Sequence, residues 1–320
     1  MIFKWSDNLK NKKYFIMILC IIALFSMQFV CANDNTDNIT LASAEDNGIL
    51  LAPSETKTYT DLKAVIDAAS DGDEINLGYN YRYNDGDPKS GINITKNLII
   101  NGNGATISSD SQNHVALFNI GNGVTVTLKN LTITNVGGID WSAGTVTPYR
   151  AIYSQGNLNI DDCTFDSIQV ADEWNSNFEF SGSVIFSSGD VNIQNSNFLN
   201  NVVQTYGTIY TTGTVTARNS YFYNNKAISH EEADGGVIYA RYVDIIENCT
   251  FVSNVANAGG SIVVFEGNTK IKDSTFDGKR LNEQSSTLNG GAIMSWNSDL
   301  EIENSTFANF TSSGDGVLFL

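Results

Sequence analysis

Proline is nearly missing from this 320-residue chain, which has 3, and histidine is rarer still, at 2. The two histidines, His114 and His230, have no metal-ligand spacing around them, which argues against a transition-metal site. Basic charge is also scarce: 18 Lys and Arg stand against 35 Asp and Glu, a net charge of −17. A surface of that sign repels nucleic acid and anionic lipid, so no nucleic-acid partner is expected. Cysteine is limited to 4 residues, and Cys20 and Cys31 lie in the first 32 positions. Long apolar runs are limited to one, from Tyr14 to Val30, behind Lys4, Lys10, Lys12 and Lys13. With Val30 and Ala32 placed as the small residues of a cleavage site before Asn33, residues 1–32 read as a secretory signal peptide. The mature chain would keep 14 basic and 34 acidic side chains, a net charge of −20, and no membrane contact beyond the signal segment.

What the chain does have is a repeated box. DDCTF, QNSNF, RNSYF, ENCTF, KDSTF and ENSTF end at Phe165, Phe198, Phe222, Phe251, Phe276 and Phe307, and KNLTI and GNGATI place Ile133 and Ile107 in the same slot. The gaps between these anchors are 26, 32, 33, 24, 29, 25 and 31 residues. A solenoid of helix pairs keeps its period tightly, whereas coils joined by loops of free length need not. The cysteines Cys163 and Cys249 sit two places before an anchor, where other copies have Ser196, Ser220, Ser274 and Ser305. Three coils apart at ~4.8 Å per coil, they would be beyond disulfide reach and read as small core side chains.

Five residues before the anchor the chain is apolar in nearly every copy (Leu128, Ile160, Ile193, Ala217, Ile246, Ile271, Ile302), and seven before it often is. That is period two, the mark of a strand with one buried face. Three residues before the anchor stands Asn or Asp: Asn130, Asp162, Asn195, Asn219, Asn248, Asp273 and Asn304. These types tolerate left-handed backbone, so the strand is expected to turn there and the anchor to point inward again. Stacked copies would align these side chains in a structural ladder of hydrogen-bonded amides. A second element, as in RAIYSQG, GSVIFSSG, YGTIYTTG and GGVIYAR, adds another inward Ile per coil.

About three short strands per coil make an all-β fold, a right-handed parallel β-helix of about eight coils. Before it, YTDLKAVIDAAS places Leu62, Val65, Ile66 and Ala69 at helical spacing with Thr60 as the cap, which predicts an N-terminal capping helix over the end of the solenoid. The expected division is a signal peptide at 1–32, a flexible leader at 33–56, the cap and first strands at 57–97, and β-helix repeats at 98–320. SGDGVLFL at 313–320 repeats the opening of a coil, so the array is expected to be cut in mid-coil.

The GG-[AVS]-I element (Gly235–Ile238, Gly259–Ile262, Gly290–Ile293) paired with F-x-x-N (Phe198 and Asn201, Phe222 and Asn225, Phe251 and Asn254) resembles the repeats of polymorphic outer membrane proteins. From about residue 57 to 320 the chain resembles the adhesin-like surface proteins of methanogenic archaea, whose repeats form right-handed parallel β-helices of the pectate-lyase-like class. The resemblance implies a secreted or cell-surface location. It leaves function open, because the class holds lyases, hydrolases and adhesins alike.

If the repeated Ile points inward, the next residue points outward, giving the row Tyr153, Phe186, Tyr210, Tyr239, Val263, Met294 and Phe319. The following outward row reads Gln155, Ser188, Thr212, Arg241, Phe265 and Trp296. Neither row contains a carboxylate, so the sheet face has no acid and base for polysaccharide cleavage. Acidic residues gather instead in longer loops: Asp140 beside Trp141, Asp172 and Glu173 beside Trp174, and Glu231, Glu232 and Asp234 after His230. DGDE at 71–74 and NDGDP at 84–88 read as turns that could hold Ca²⁺ weakly; no other cofactor is expected. The sequons at Asn38, Asn93, Asn130, Asn248, Asn304 and Asn309 would accept a glycan only where the Asn is outside the ladder. The expected function is noncatalytic adhesion to a carbohydrate or surface protein of another cell through Tyr153, Phe186, Tyr210 and Tyr239, flanked by Arg241 and Trp296. Its alternatives are a polysaccharide lyase or glycoside hydrolase working in a groove, and a passive surface stalk.

Overall fold

A computed structural model describes residues 52–110, 113–142, 145–171, 182–229, 234–279, 291–310 and 316–320. The segment expected to be a signal peptide and most of the expected leader lie outside the described residues. The rest is a parallel β-helix, in which the strands of the coils pair in parallel with the equivalent strands one coil away, apart from an antiparallel hairpin of Gly138–Ser142 and Thr145–Tyr149. One row of inward side chains runs in register from Ile92 through Phe118, Ile152, Ile185, Ile209, Ile238, Ile262 and Ile293 to Leu318. A second runs from Ile75 through Ile100, Leu128, Ile160, Ile193, Ala217, Ile246 and Ile271 to Ile302. The third contains the anchors, from Tyr81 through Ile107, Ile133, Phe165, Phe198, Phe222, Phe251 and Phe276 to Phe307.

The anchor rings form one stack, with successive centroids 4.8, 5.4, 4.5, 4.6 and 4.7 Å apart from Phe165 to Phe307. Each of these rings except Phe307 is almost fully removed from water. Burying a Phe side chain contributes roughly 1.5–3 kcal/mol, so the stack is a principal source of stability. Cys163 and Cys249 are both buried and free, and each sulfur hydrogen-bonds a backbone carbonyl two residues back, as Ser196, Ser220 and Ser274 do with their hydroxyls.

Where the period slips, the backbone absorbs the extra residue. Seven positions before Phe251 the sequence has Asp244, which has no place in an apolar row. A β-bulge shifts the register there, so that Val243 pairs with Val215 and takes the buried position.

The helix spans Tyr59–Ala68, and its cap differs from the expected one. Thr58, not Thr60, is the N-cap: its hydroxyl accepts from the Asp61 amide at 3.2 Å, and the Asp61 carboxylate accepts from the Thr58 amide at 3.0 Å. Only Thr58 has an acidic residue three places on, which closes a capping box. Thr60 instead donates its hydroxyl to Asp87, whose carboxylate also accepts from the amides of Tyr59 and Thr60. The buried face is Tyr59, Leu62 and Ile66, whereas Val65, placed on that face by spacing, is exposed. At the other end Lys96 donates to the carbonyls of Ile66, Asp67 and Ala69. Order also begins before the expected boundary at 57. Thr56–Thr58 is a strand paired with Asn80–Arg82, and Asn80 donates to the carbonyl of Pro53.

Candidate functional site

In the four strands of the first row that carry the rings, a half-buried residue stands between a buried Ile and a buried small residue, Ser154, Ser187, Thr211 or Ala240. That alternation sends Tyr153, Phe186, Tyr210 and Tyr239 outward from adjacent coils in register. Successive ring centroids are 5.3, 4.9 and 5.4 Å apart, with planes inclined by 11°, 31° and 25°. Coils space the side chains at about the thickness of a ring pair, so consecutive rings face one another. All four rings are half-buried. In one direction the row continues to Asn119 and Asn93, whose amides hydrogen-bond at 3.3 Å; in the other the register reaches Val263, which was expected to point outward but is fully buried, and then Met294 and Phe319.

Neighbours partly cover the row: Phe265, expected in the second outward row, and Tyr206 and Arg150, which the repeat pattern does not mark. Tyr206 lies 5.7 Å from the Tyr210 ring and 4.6 Å from that of Tyr239, and Phe265 lies 4.9 Å from Tyr239. The Arg150 guanidinium sits over Phe186, 5.0 Å from the ring centre, and burial pulls its pKa down to about 10. Arg150 lies three residues before Tyr153 and Tyr206 four before Tyr210, so no fixed spacing marks them as part of the repeat.

The two expected flanking residues behave differently. Arg241 is held by Glu266 at 3.2 Å and lies over the Tyr242 ring, while the Tyr242 hydroxyl donates to the same carboxylate at 2.9 Å. The Tyr242 hydroxyl and Arg241 hold the Glu266 carboxyl below the usual carboxylate range. The positive charge of Arg241 is therefore already matched by a carboxylate of the next coil. Trp296 is 50% exposed and 6.3 Å from Phe319, so its ring is largely open to a ligand.

The turn residues Asn130, Asp162, Asn195, Asn219, Asn248, Asp273 and Asn304 all have φ between 46° and 53°. Their side chains form a shorter ladder than expected. Asn248 donates to Asn219 at 3.0 Å and Asn219 to Asn195 at 3.2 Å, but Asn195 then reaches Asp161, one residue before the expected Asp162. This ladder is exposed. A second left-handed corner follows two residues after the anchor, at Asn135, Ser167, Asn200, Asn224, Ser253 and Asn309. The residue after that corner gives F-x-x-N its meaning: Asn201, Asn225 and Asn254 turn into the wall as a buried ladder, with amide contacts of 2.9 and 3.0 Å. Each also accepts a backbone N–H from the coil before it and donates to the carbonyl of that coil's anchor Phe.

Among the expected acidic loops, Asp172, Glu173, Trp174, His230, Glu231 and Glu232 lie outside the described residues. Asp140 lies in a hairpin of strands Gly138–Ser142 and Thr145–Tyr149 and bonds His114 Nδ1 at 2.9 Å. That bond, with a further one from Tyr149, holds its carboxyl below the usual range. The carboxylates of the two acidic turns face backbone rather than a common centre. Asp71 accepts from the Asn97 amide at 2.8 Å, and Asp87 accepts from Asn84 and the helix start. No group of three His, Cys, Asp or Glu side chains suited to a metal ion occurs among the described residues.

No protein-family model matches the chain, and no curated protein matches it. The fold and the outward row are therefore the basis for a functional reading.

Proposed function

We propose that the chain is a noncatalytic, secreted or cell-surface adhesin-like β-helix protein that binds glycans or proteins of a host or neighbouring cell. One observation carries the reading. Four outward aromatic rings in register form a half-exposed apolar row on a sheet face, and solvent-exposed apolar rows of this kind are usually contact surfaces. The open ring of Trp296 extends that face, and the paired Arg241 adds a polar margin. The strongly acidic composition fits a solvated surface protein.

A second reading, a passive stalk, has its own support in the geometry, because rings that face one another also stiffen a sheet. One experiment separates the two. Tyr210→Ser together with Tyr239→Ser should reduce attachment to target cells at least tenfold while the melting temperature falls by only a few degrees. Unchanged attachment with a large fall in melting temperature would assign the rings to the stalk.

A further inference from the structure

The strand Tyr221–Tyr223 buries Phe222 and sends two tyrosines outward on one face. Their rings are parallel within 8° and 6.1 Å apart, and Tyr221 is 37% exposed. This face is not the one that carries Tyr210, because the left-handed corner at Asn219 separates them within the coil. It also differs in kind. In register beside Tyr221 stand Asn197 and Thr250, and beside Tyr223 stand Leu199 and Val252, so neither tyrosine has an aromatic neighbour in the next coil to occupy its ring.

The surroundings define the chemistry of a ligand. At one end of the strand the exposed amide ladder passes through Asn219, and at the other a second amide pair, Asn224 to Asn200 at 3.0 Å, follows the anchor. Each of these carboxamides uses one N–H along the axis and keeps a second N–H for a ligand. The register neighbours of the pair carry no charge, although one coil further out Asp166 and Asp277 stand on the same face and the chain as a whole is at −17. Parallel aromatic rings offer apolar faces or edges to the C–H groups of a sugar, and flanking amides and a threonine hydroxyl meet its hydroxyls. A neutral patch in an acidic chain discriminates against anionic polymers, which the overall field repels. We infer that Tyr221 and Tyr223 form a binding site for a neutral saccharide, separate from the Tyr153–Tyr239 row and independent of what that row contacts.

Affinity electrophoresis of the full chain through gels containing galactomannan, xyloglucan or hydroxyethylcellulose, with polygalacturonate as the anionic comparison, tests this. At least one neutral polymer should retard the wild type, and polygalacturonate should not. Tyr221→Ser with Tyr223→Ser should weaken that retardation tenfold or more. Tyr221→Phe with Tyr223→Phe, which keeps both rings and guards against a folding defect, should retain most of it. Tyr210→Ser with Tyr239→Ser should leave it intact, so that failure here and failure of the adhesion reading are distinguishable. The inference is overturned if no neutral polymer retards the wild type, if polygalacturonate retards it equally, if the Ser variant migrates like the wild type, or if the loss follows the Tyr210 and Tyr239 pair instead.

Discussion

The carboxamide of Asn225 donates to Oδ1 of Asn254 at 3.0 Å, one coil further along, in a wall where Asn225 is fully shut from water. The same side chain accepts from the backbone and amide N–H of Asn201 and donates to the carbonyl of Phe198. An asparagine here satisfies polar backbone that the second corner would otherwise bury unpaired.

Asn225→Ala should therefore cost more than a typical surface change. It leaves N–H groups of Asn201 and the Phe198 carbonyl without partners, and each buried orphan costs about 1–3 kcal/mol. Chemical denaturation should show a loss of about 3 kcal/mol or more. A loss near that of an exposed asparagine, about 0.5 kcal/mol or less, would show that water reaches the ladder.

Phe222 lies between Phe198 and Phe251 at 5.4 and 4.5 Å, with no exposed surface. Phe222→Ala should cost about 3–5 kcal/mol by opening a cavity in a stack whose neighbours are fixed by the strand register. A melting curve equal to that of the wild type would mean that the stack relaxes to fill the gap.

The corner before the anchor tests backbone rather than packing. Asn219 has φ of 51°, a region that a β-branched residue resists and glycine enters freely. Asn219→Val should cost about 1–2 kcal/mol or more from backbone strain. Asn219→Gly should cost less, because it gives up only the ladder bonds to Asn195 and Asn248. Equal losses in the two variants would place the cost in the side-chain amide.

These cases also show what could be read from the residues alone. The inward rows and the first corner were legible because apolar side chains recur at period two and a single Asn or Asp interrupts them at a fixed place. The buried ladder was visible as a motif but not as a structure. In NN at 200–201 and 224–225 either asparagine is suited to a left-handed corner, and only the path of the backbone decides that the first turns and the second is buried. The helix cap raised the same kind of ambiguity, since Thr58 and Thr60 are both good caps and the choice fell to the one with Asp61 three residues on. Tyr206 and Arg150 escaped notice because they lie outside the strands, where the coil lengths vary and no period aligns them.

Burial pushes the thiols of Cys163 and Cys249 up to about 12 and about 11. Since the thiolate is the reactive form, both should be inert to alkylating reagents at neutral pH in the native state and react at the rate of unfolding. Quantifying modified thiols with and without denaturant checks this. Fast modification of either residue in native protein would mean that its coil opens locally.

The last prediction concerns acid. Burial alone would raise the Asp87 carboxyl, but the Thr60 hydroxyl and the amides of Asn84, Thr60 and Tyr59 outweigh it and hold the group below the usual carboxylate range. A depressed folded pKa means that the contribution to stability is present above the unfolded value of about 4 and is lost as pH falls through the folded value. Protonation would remove acceptor capacity at the positive end of the helix dipole, so the helix Tyr59–Ala68 should loosen early in an acid titration. Asp87→Asn should lower the melting temperature at pH 7 and shrink the further loss between pH 5 and pH 2. Circular dichroism melts of both proteins across that range decide it. If the variant loses as much stability on acidification as the wild type, the acid-sensitive carboxylate lies elsewhere in the chain.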